Sequence, residues 1–66
     1  MEILINGTPH EVPDAIRLDR AVALISESPT GIAVAVNGDV VSRMSWPQVR
    51  LTRGDQIEVL TAVQGG

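Results

Sequence analysis

Only one stretch of this sequence carries helical periodicity: Leu18, Val22 and Ile25 fall at i, i+4 and i+7, and Ala21 widens the same apolar stripe. The other apolar residues come in short, strand-like runs, so a chain of 66 residues has a single helix with which to cover a sheet. A chain of that size buries only about 60% of its unfolded surface. One domain with a thin core is therefore expected, with little room for an enclosed catalytic cleft. The helix is expected over residues 18–27. Asp14 or Asp19 offers a carboxylate to the free amides of its first turn, and Pro29 and Gly31 stop it.

Around that helix the strands read as follows. Glu2 to Asn6 is aliphatic and β-branched and runs into Asn6-Gly7, a pair suited to the positive φ angles of a tight hairpin. The return strand, Thr8 to Val12, contains Pro9, which lacks an amide hydrogen and belongs at a sheet edge. Ile32 to Val36 is apolar at both parities, as expected of a strand near the middle of a sheet. Asn37-Gly38-Asp39 turns the chain into a stub at Val40-Val41. Ser42 to Arg53, with Trp46-Pro47 among polar residues, reads as an irregular crossing with one helical turn, and Gly54-Asp55 is another turn. In the last strand, Gln56 to Thr61, Ile57 and Val59 face one way while Gln56 and Glu58 face the other. Leu60 breaks the alternation, an apolar residue on the polar face. This order predicts an α+β fold, a mixed four- to five-stranded sheet with one main helix packed on one face.

The residue types exclude several chemistries. No cysteine is present, so disulfides, thiolate metal ligands and redox work on the chain's own thiols are ruled out. The five basic residues are all arginine against eight acids, and a net charge of −3 repels a phosphate backbone, so no nucleic-acid partner is expected. The longest apolar run, Ile32 to Val36, falls far short of the roughly 20 residues of a membrane span, and the first residues lack the layout of a signal peptide. A cytoplasmic monomer without a membrane partner is the expectation. There is no phosphate-binding glycine loop, no metal-spaced histidine pair and no nucleophile elbow, so neither a bound cofactor nor a metal is expected. His10 reads as a solvated strand residue, Asp14 and Asp19 as capping or solvated carboxylates, Trp46 as the closure of one end of the core, and the arginines as dispersed and solvated.

What remains is the end of the sequence. Residues 1–61 make the domain, and residues 62–66, Ala62-Val63-Gln64-Gly65-Gly66, form a tail. Residues without a Cβ adopt conformations closed to others, and two of them can thread a narrow channel to bring a terminal carboxylate to another enzyme's nucleotide. Such a carboxylate needs activation by ATP on a separate adenylating enzyme. Gly66 is the candidate reacting residue. Gly65, Gln64, Val63 and Leu60, with Ala33 and Ala35 flattening the surface beside Leu60, are the candidate partner-binding residues.

The Gly-Gly end, the single-helix strand order, the segment Gly31-Ile32-Ala33-Val34-Ala35-Val36-Asn37-Gly38 and the ending Gly54-Asp55-Gln56-Ile57-Glu58-Val59-Leu60-Thr61-Ala62-Val63-Gln64-Gly65-Gly66 resemble the small sulfur carriers of thiamine biosynthesis, the ThiS family. One departure is Arg17, where that family often has Ser or Thr entering the helix. The resemblance implies a β-grasp, ubiquitin-like fold and a cycle of partners. A ubiquitin-activating-like adenylyltransferase would convert the Gly66 carboxylate to an acyl-adenylate. A persulfide from cysteine desulfurase or another donor would displace AMP to leave a thiocarboxylate, and thiazole synthase would take up the sulfur. In that cycle the chain is a protein co-substrate, not an enzyme, and the ATP is used by its partner. A sulfur carrier for molybdopterin or tRNA thiolation would use the same chemistry with another acceptor, and a ubiquitin-like modifier or binding module stands as the reading from a different class. With no cysteine to intercept an activated terminus and no lysine for side-chain isopeptide bonds, the composition agrees with a carrier.

Overall fold

Both Asn-Gly pairs turn the chain back on itself. Asn6 and Gly7 have φ of 51° and 81°, and Asn37 and Gly38 have 52° and 88°. Positive φ at both central residues matches the right-handed twist of the flanking strands, and asparagine tolerates the first position as glycine does the second. In the structure, a computed structural model that describes residues 1–26 and 30–61, the first turn joins β1 (Glu2–Ile5) to β2 (Thr8–Glu11). The second joins β3 (Ile32–Val36) to β4 (Asp39–Val41). The helix α1 (Leu18–Ala23) lies between the hairpins, and a 3₁₀ helix (Arg43–Gln48) leads toward the final strand β5 (Gln56–Thr61).

β5 enters the sheet between the hairpins. It runs parallel to β1 and antiparallel to β3, giving the order β2-β1-β5-β3-β4. A parallel pair requires a crossover. Here the chain between β1 and β5 supplies it, carrying α1 across one face. Pro9 falls on β2, an edge strand, where its missing amide costs no ladder bond. Ile3, Ile5, Val34 and Ile57 point from the sheet toward Leu18, Ala21 and Val22 of α1, and Val12, Trp46 and Leu51 close the core. Ile3, Leu18, Leu51, Ile57 and Val34 are fully enclosed. Each such aliphatic side chain contributes about 1.5–3 kcal/mol through burial.

Several expectations are corrected. The α-helix ends at Ala23, not residue 27, because its last turn tightens. The amides of Leu24 and Ile25 donate three residues back, to Ala21 O and Val22 O, both at 3.1 Å. That tightening swings Ile25 out of the apolar stripe, leaving it 41% exposed. The stop at Pro29 lies outside the described residues. At the helix start Arg17 holds the capping position without a side-chain cap. Asp19 Oδ1 accepts from the Arg20 amide at 3.0 Å, whereas Asp14 Oδ1 lies 3.5 Å from the Met1 amino group. The segment after β4 holds a six-residue 3₁₀ helix, longer than one turn. Within it Trp46 is 3% exposed and donates its indole N–H to Val41 O at 2.9 Å, closing the core as expected. His10 is half-buried, because its pairing with Ile3 places it on the inward side of the edge strand. β1 and β2 are each one residue shorter than read, although the Val12 amide still reaches Met1 O at 2.8 Å.

Candidate functional site

The face of the sheet turned away from α1 is set by register. Ile57 of β5 is buried and Val59 half-buried, so Gln56, Glu58 and Leu60 point outward. On β3 the inward residues are Ile32, Val34 and Val36, which turns Ala33 and Ala35 outward. Leu60 stands opposite Ala33, and Ala35 stands between Glu58 and, on β4, Val40. Leu60 is 61% exposed and Val40 79%. The two alanines are low enough to leave both larger side chains open. The result is an apolar strip across three strands, from Leu60 at the end of β5 to Val40 at the sheet edge, with Glu58 beside it. Toward β1 the same face has a shallow groove lined by Leu4, Asn6, Gly7, Gln56, Ile57 and Glu58.

Of the candidate partner-binding residues, Leu60 pairs with Ala33, Ala35 lies two residues along the same strand, and Leu60 is exposed. Val40 is an exposed apolar neighbour on that face which the sequence reading did not name. Its signal was present in Val40-Val41: once Val41 packs against the core, its neighbour on a strand must face the other way. Val63, Gln64, Gly65 and Gly66 lie outside the described residues.

Asparagine side chains from the two hairpin turns fix β5, and with it this face. Asn6 Oδ1 accepts from the Val59 amide at 2.8 Å and its Nδ2 donates to Val59 O at 3.2 Å. On the other flank Asn37 Oδ1 accepts from the Gln56 amide at 3.0 Å, and its Nδ2 donates to Asp55 Oδ1 at 3.0 Å. Asp55 also accepts from the Thr52 amide at 2.8 Å and the Thr52 hydroxyl at 3.0 Å. Partial burial works to raise the Asp55 pKa, but the hydrogen bonds from Thr52 and Asn37 together outweigh it and hold the carboxyl below its ordinary value. The strand is therefore held on both sides from Gln56 to Val59, while beyond Val59 its strand pairing continues on the β3 side, through Leu60 and Thr61.

Among the described residues no group of three or more His, Asp or Glu side chains is placed to hold a metal, and no helix is long and apolar enough to cross a membrane. This geometry offers a surface to dock and an anchored strand leading to residues 62–66.

A model of the ThiS family matches residues 3–66 of the chain. Among solved structures, the crystal structure of the thiamine biosynthesis protein ThiS from Geobacter metallireducens is similar with a TM-score of 0.85, at 26% identity and with both chains covered completely. The solution structure of a thiamine biosynthesis protein from the same organism gives a TM-score of 0.75 at 25% identity, covering all of this chain and 88% of that one. The five-stranded mixed sheet and its helix are thus the β-grasp arrangement of those neighbours. Thiazole synthase of Magnetococcus marinus is 36% identical over 66 residues, which are all of this chain and 20% of that protein. The chain therefore spans about a fifth of the length of that curated relative.

Proposed function

The chain belongs to the ThiS family, and from that membership we propose that it is a sulfur carrier of thiamine biosynthesis whose Gly66 carboxylate is converted to a thiocarboxylate. A carboxylate is a poor electrophile until one oxygen becomes a good leaving group. An adenylyltransferase supplies that step: the Gly66 carboxylate attacks the α-phosphorus of ATP, pyrophosphate leaves, and an acyl-adenylate results. A persulfide carried by a desulfurase then attacks the acyl carbon and expels AMP. A thiol cleaves the resulting sulfur–sulfur bond, being oxidised to a disulfide, and the sulfur stays on Gly66 as the thiocarboxylate. Transfer of that sulfur to the acceptor restores the carboxylate in exchange for an oxygen, so the chain is consumed and regenerated and acts as a co-substrate.

The observation that carries this reading is the family match across residues 3–66, through both terminal glycines. The Leu60–Ala33 and Ala35–Val40 pairs add a docking face beside the strand that leads to those glycines. Burying an exposed apolar strip gives a partner enzyme affinity without chemistry, which is what a co-substrate presented to successive enzymes needs. The absence of cysteine and lysine leaves the activated terminus no internal thiol or side-chain amine to lose its acyl group to. For the acceptor we favour thiazole synthase, since a protein of that name contains a stretch 36% identical to this entire chain.

The test is ATP–pyrophosphate exchange on the adenylyltransferase. The chain ending at Gly66 should support exchange, and the chain lacking Gly66 should not. Equal exchange with both, on an enzyme shown to be active, would remove Gly66 as the activated residue.

A further inference from the structure

Arg17 and Arg50 face each other across a single antiparallel bridge. The hydrogen bonds flank the pair, with Leu18 N donating to Val49 O at 2.8 Å and Leu51 N to Ile16 O at 2.9 Å. That is the pattern of a non-hydrogen-bonded pair, in which facing side chains stand closest. Leu18 and Leu51 are buried and fix the register, so the Cβ atoms of the two arginines are neighbours on one face. Like charges directly opposite one another repel, which corrects the reading of the arginines as dispersed.

The two are unequally compensated. Arg17 Nε and Nη2 donate to Asp19 Oδ1 and Oδ2, each at 3.0 Å. Arg50 Nη1 donates to the Ala15 carbonyl at 3.1 Å, a neutral acceptor, and among the described residues it forms no ion pair. Asp19 answers to Arg17 and, more weakly, to Arg20, which leaves Arg50 without a carboxylate of its own among the described residues. The same loop holds Ala15 at φ 57°, in the left-handed region that a Cβ disfavours. A repulsive pair and a strained residue coincide here, and local rules are broken together most often where a surface has a task.

We propose that the Arg17–Arg50 pair is a second interaction surface, on the helix side of the sheet, that receives clustered carboxylates of an acidic protein partner. The fork of Arg50, which no carboxylate among the described residues occupies, matches a carboxylate with two parallel hydrogen bonds, and Arg17 beside it adds charge. An added carboxylate would relieve the repulsion that the free chain carries. A nucleic acid is disfavoured, because its affinity comes from neutralising many phosphates along a backbone and this surface offers two facing arginines. The surface lies on the opposite side of the sheet from Leu60 and Val40, and its existence does not depend on what Gly66 carries.

The test is a titration of the ¹⁵N-arginine-labelled protein, following the arginine Nε–Hε signals, with a capped Gly-Glu-Glu-Asp-Glu-Gly peptide, with inorganic phosphate and with a short oligothymidylate. The peptide should move the Arg17 and Arg50 signals saturably and leave Arg43 and Arg53 nearly still. Arg17→Gln combined with Arg50→Gln should weaken peptide binding about tenfold, and Arg50→Lys, which keeps the charge but loses the fork, should weaken it in part. Circular dichroism of both variants checks that they fold. Equal movement of all five arginine signals would overturn the proposal, as would phosphate or oligothymidylate binding as tightly as the peptide.

Discussion

The side chain of Asn6 pairs with the backbone of Val59 as a strand residue would. It accepts from the Val59 amide at 2.8 Å and donates to the Val59 carbonyl at 3.2 Å, while the Asn6 backbone amide reaches Ile57 O at 2.9 Å. β1 has already turned away at Asn6, so the side chain prolongs the β1–β5 ladder by a step that the backbone no longer makes. Asn37 does the same work on the other flank at Gln56. Each hairpin turn thus serves twice, reversing its own chain and gripping the strand that leads to the terminal glycines.

Asn6→Gly separates these two roles, because glycine keeps the φ of 51° and removes only the side chain. The expected loss is about 1–2 kcal/mol, read by urea unfolding, together with faster hydrogen exchange at the Val59 amide. Unchanged exchange at Val59 would show that the side chain does not carry the ladder.

Asp55 gives a pH dependence of definite sign. Its pKa in the fold lies below the ordinary 3.8, so the unfolded chain binds more protons near that pH and stability rises as pH increases. The contribution is complete above about 3.8 and is lost as pH falls through the lowered value. Asp19, lowered chiefly by its hydrogen bond from Arg17, acts in the same direction. Asp55→Asn should therefore be less stable than the natural chain at pH 6, and the gap should narrow below pH 3. Unfolding curves across that range check it; a gap that stays constant with pH would contradict the assignment.

Leu60→Asp and Val40→Asp place a charge on the outward strip without entering the core, since these residues are 61% and 79% exposed. Each should leave the unfolding midpoint within experimental scatter and weaken binding to the adenylyltransferase by about tenfold or more. Isothermal calorimetry with the purified enzyme measures this. Unchanged affinity in both variants would place the docking surface elsewhere.

The strands and turns were legible in the sequence because their signals are local. Asn-Gly at positions 6 and 37, the alternation at Gln56 to Val59 and the double-sided apolar run at Ile32 to Val36 each specify structure without reference to distant residues. The parity of Leu60 went further, locating an exposed apolar residue that the structure then sets opposite Ala33. The end of α1 was not legible, because Ile25 keeps helical spacing while the backbone tightens beneath it. Val40 and the Arg17–Arg50 pair were missed for another reason. Their meaning depends on register between segments far apart in the chain, which periodicity within one segment does not encode.

Locating sulfur on Gly66 tests the carrier role most directly. The chain, ending at Gly66, is incubated with ATP, the adenylyltransferase, cysteine desulfurase and cysteine, and then measured by intact mass and by mapping of its C-terminal peptide. Mapping is required because exchange of oxygen for sulfur nearly matches the mass gained when Met1 or Met44 is oxidised. A sulfur carrier should emerge with a thiocarboxylate on Gly66 that is discharged when thiazole synthase and its other substrates are added. An unmodified Gly66, with the same enzymes shown to charge another carrier, would contradict that role.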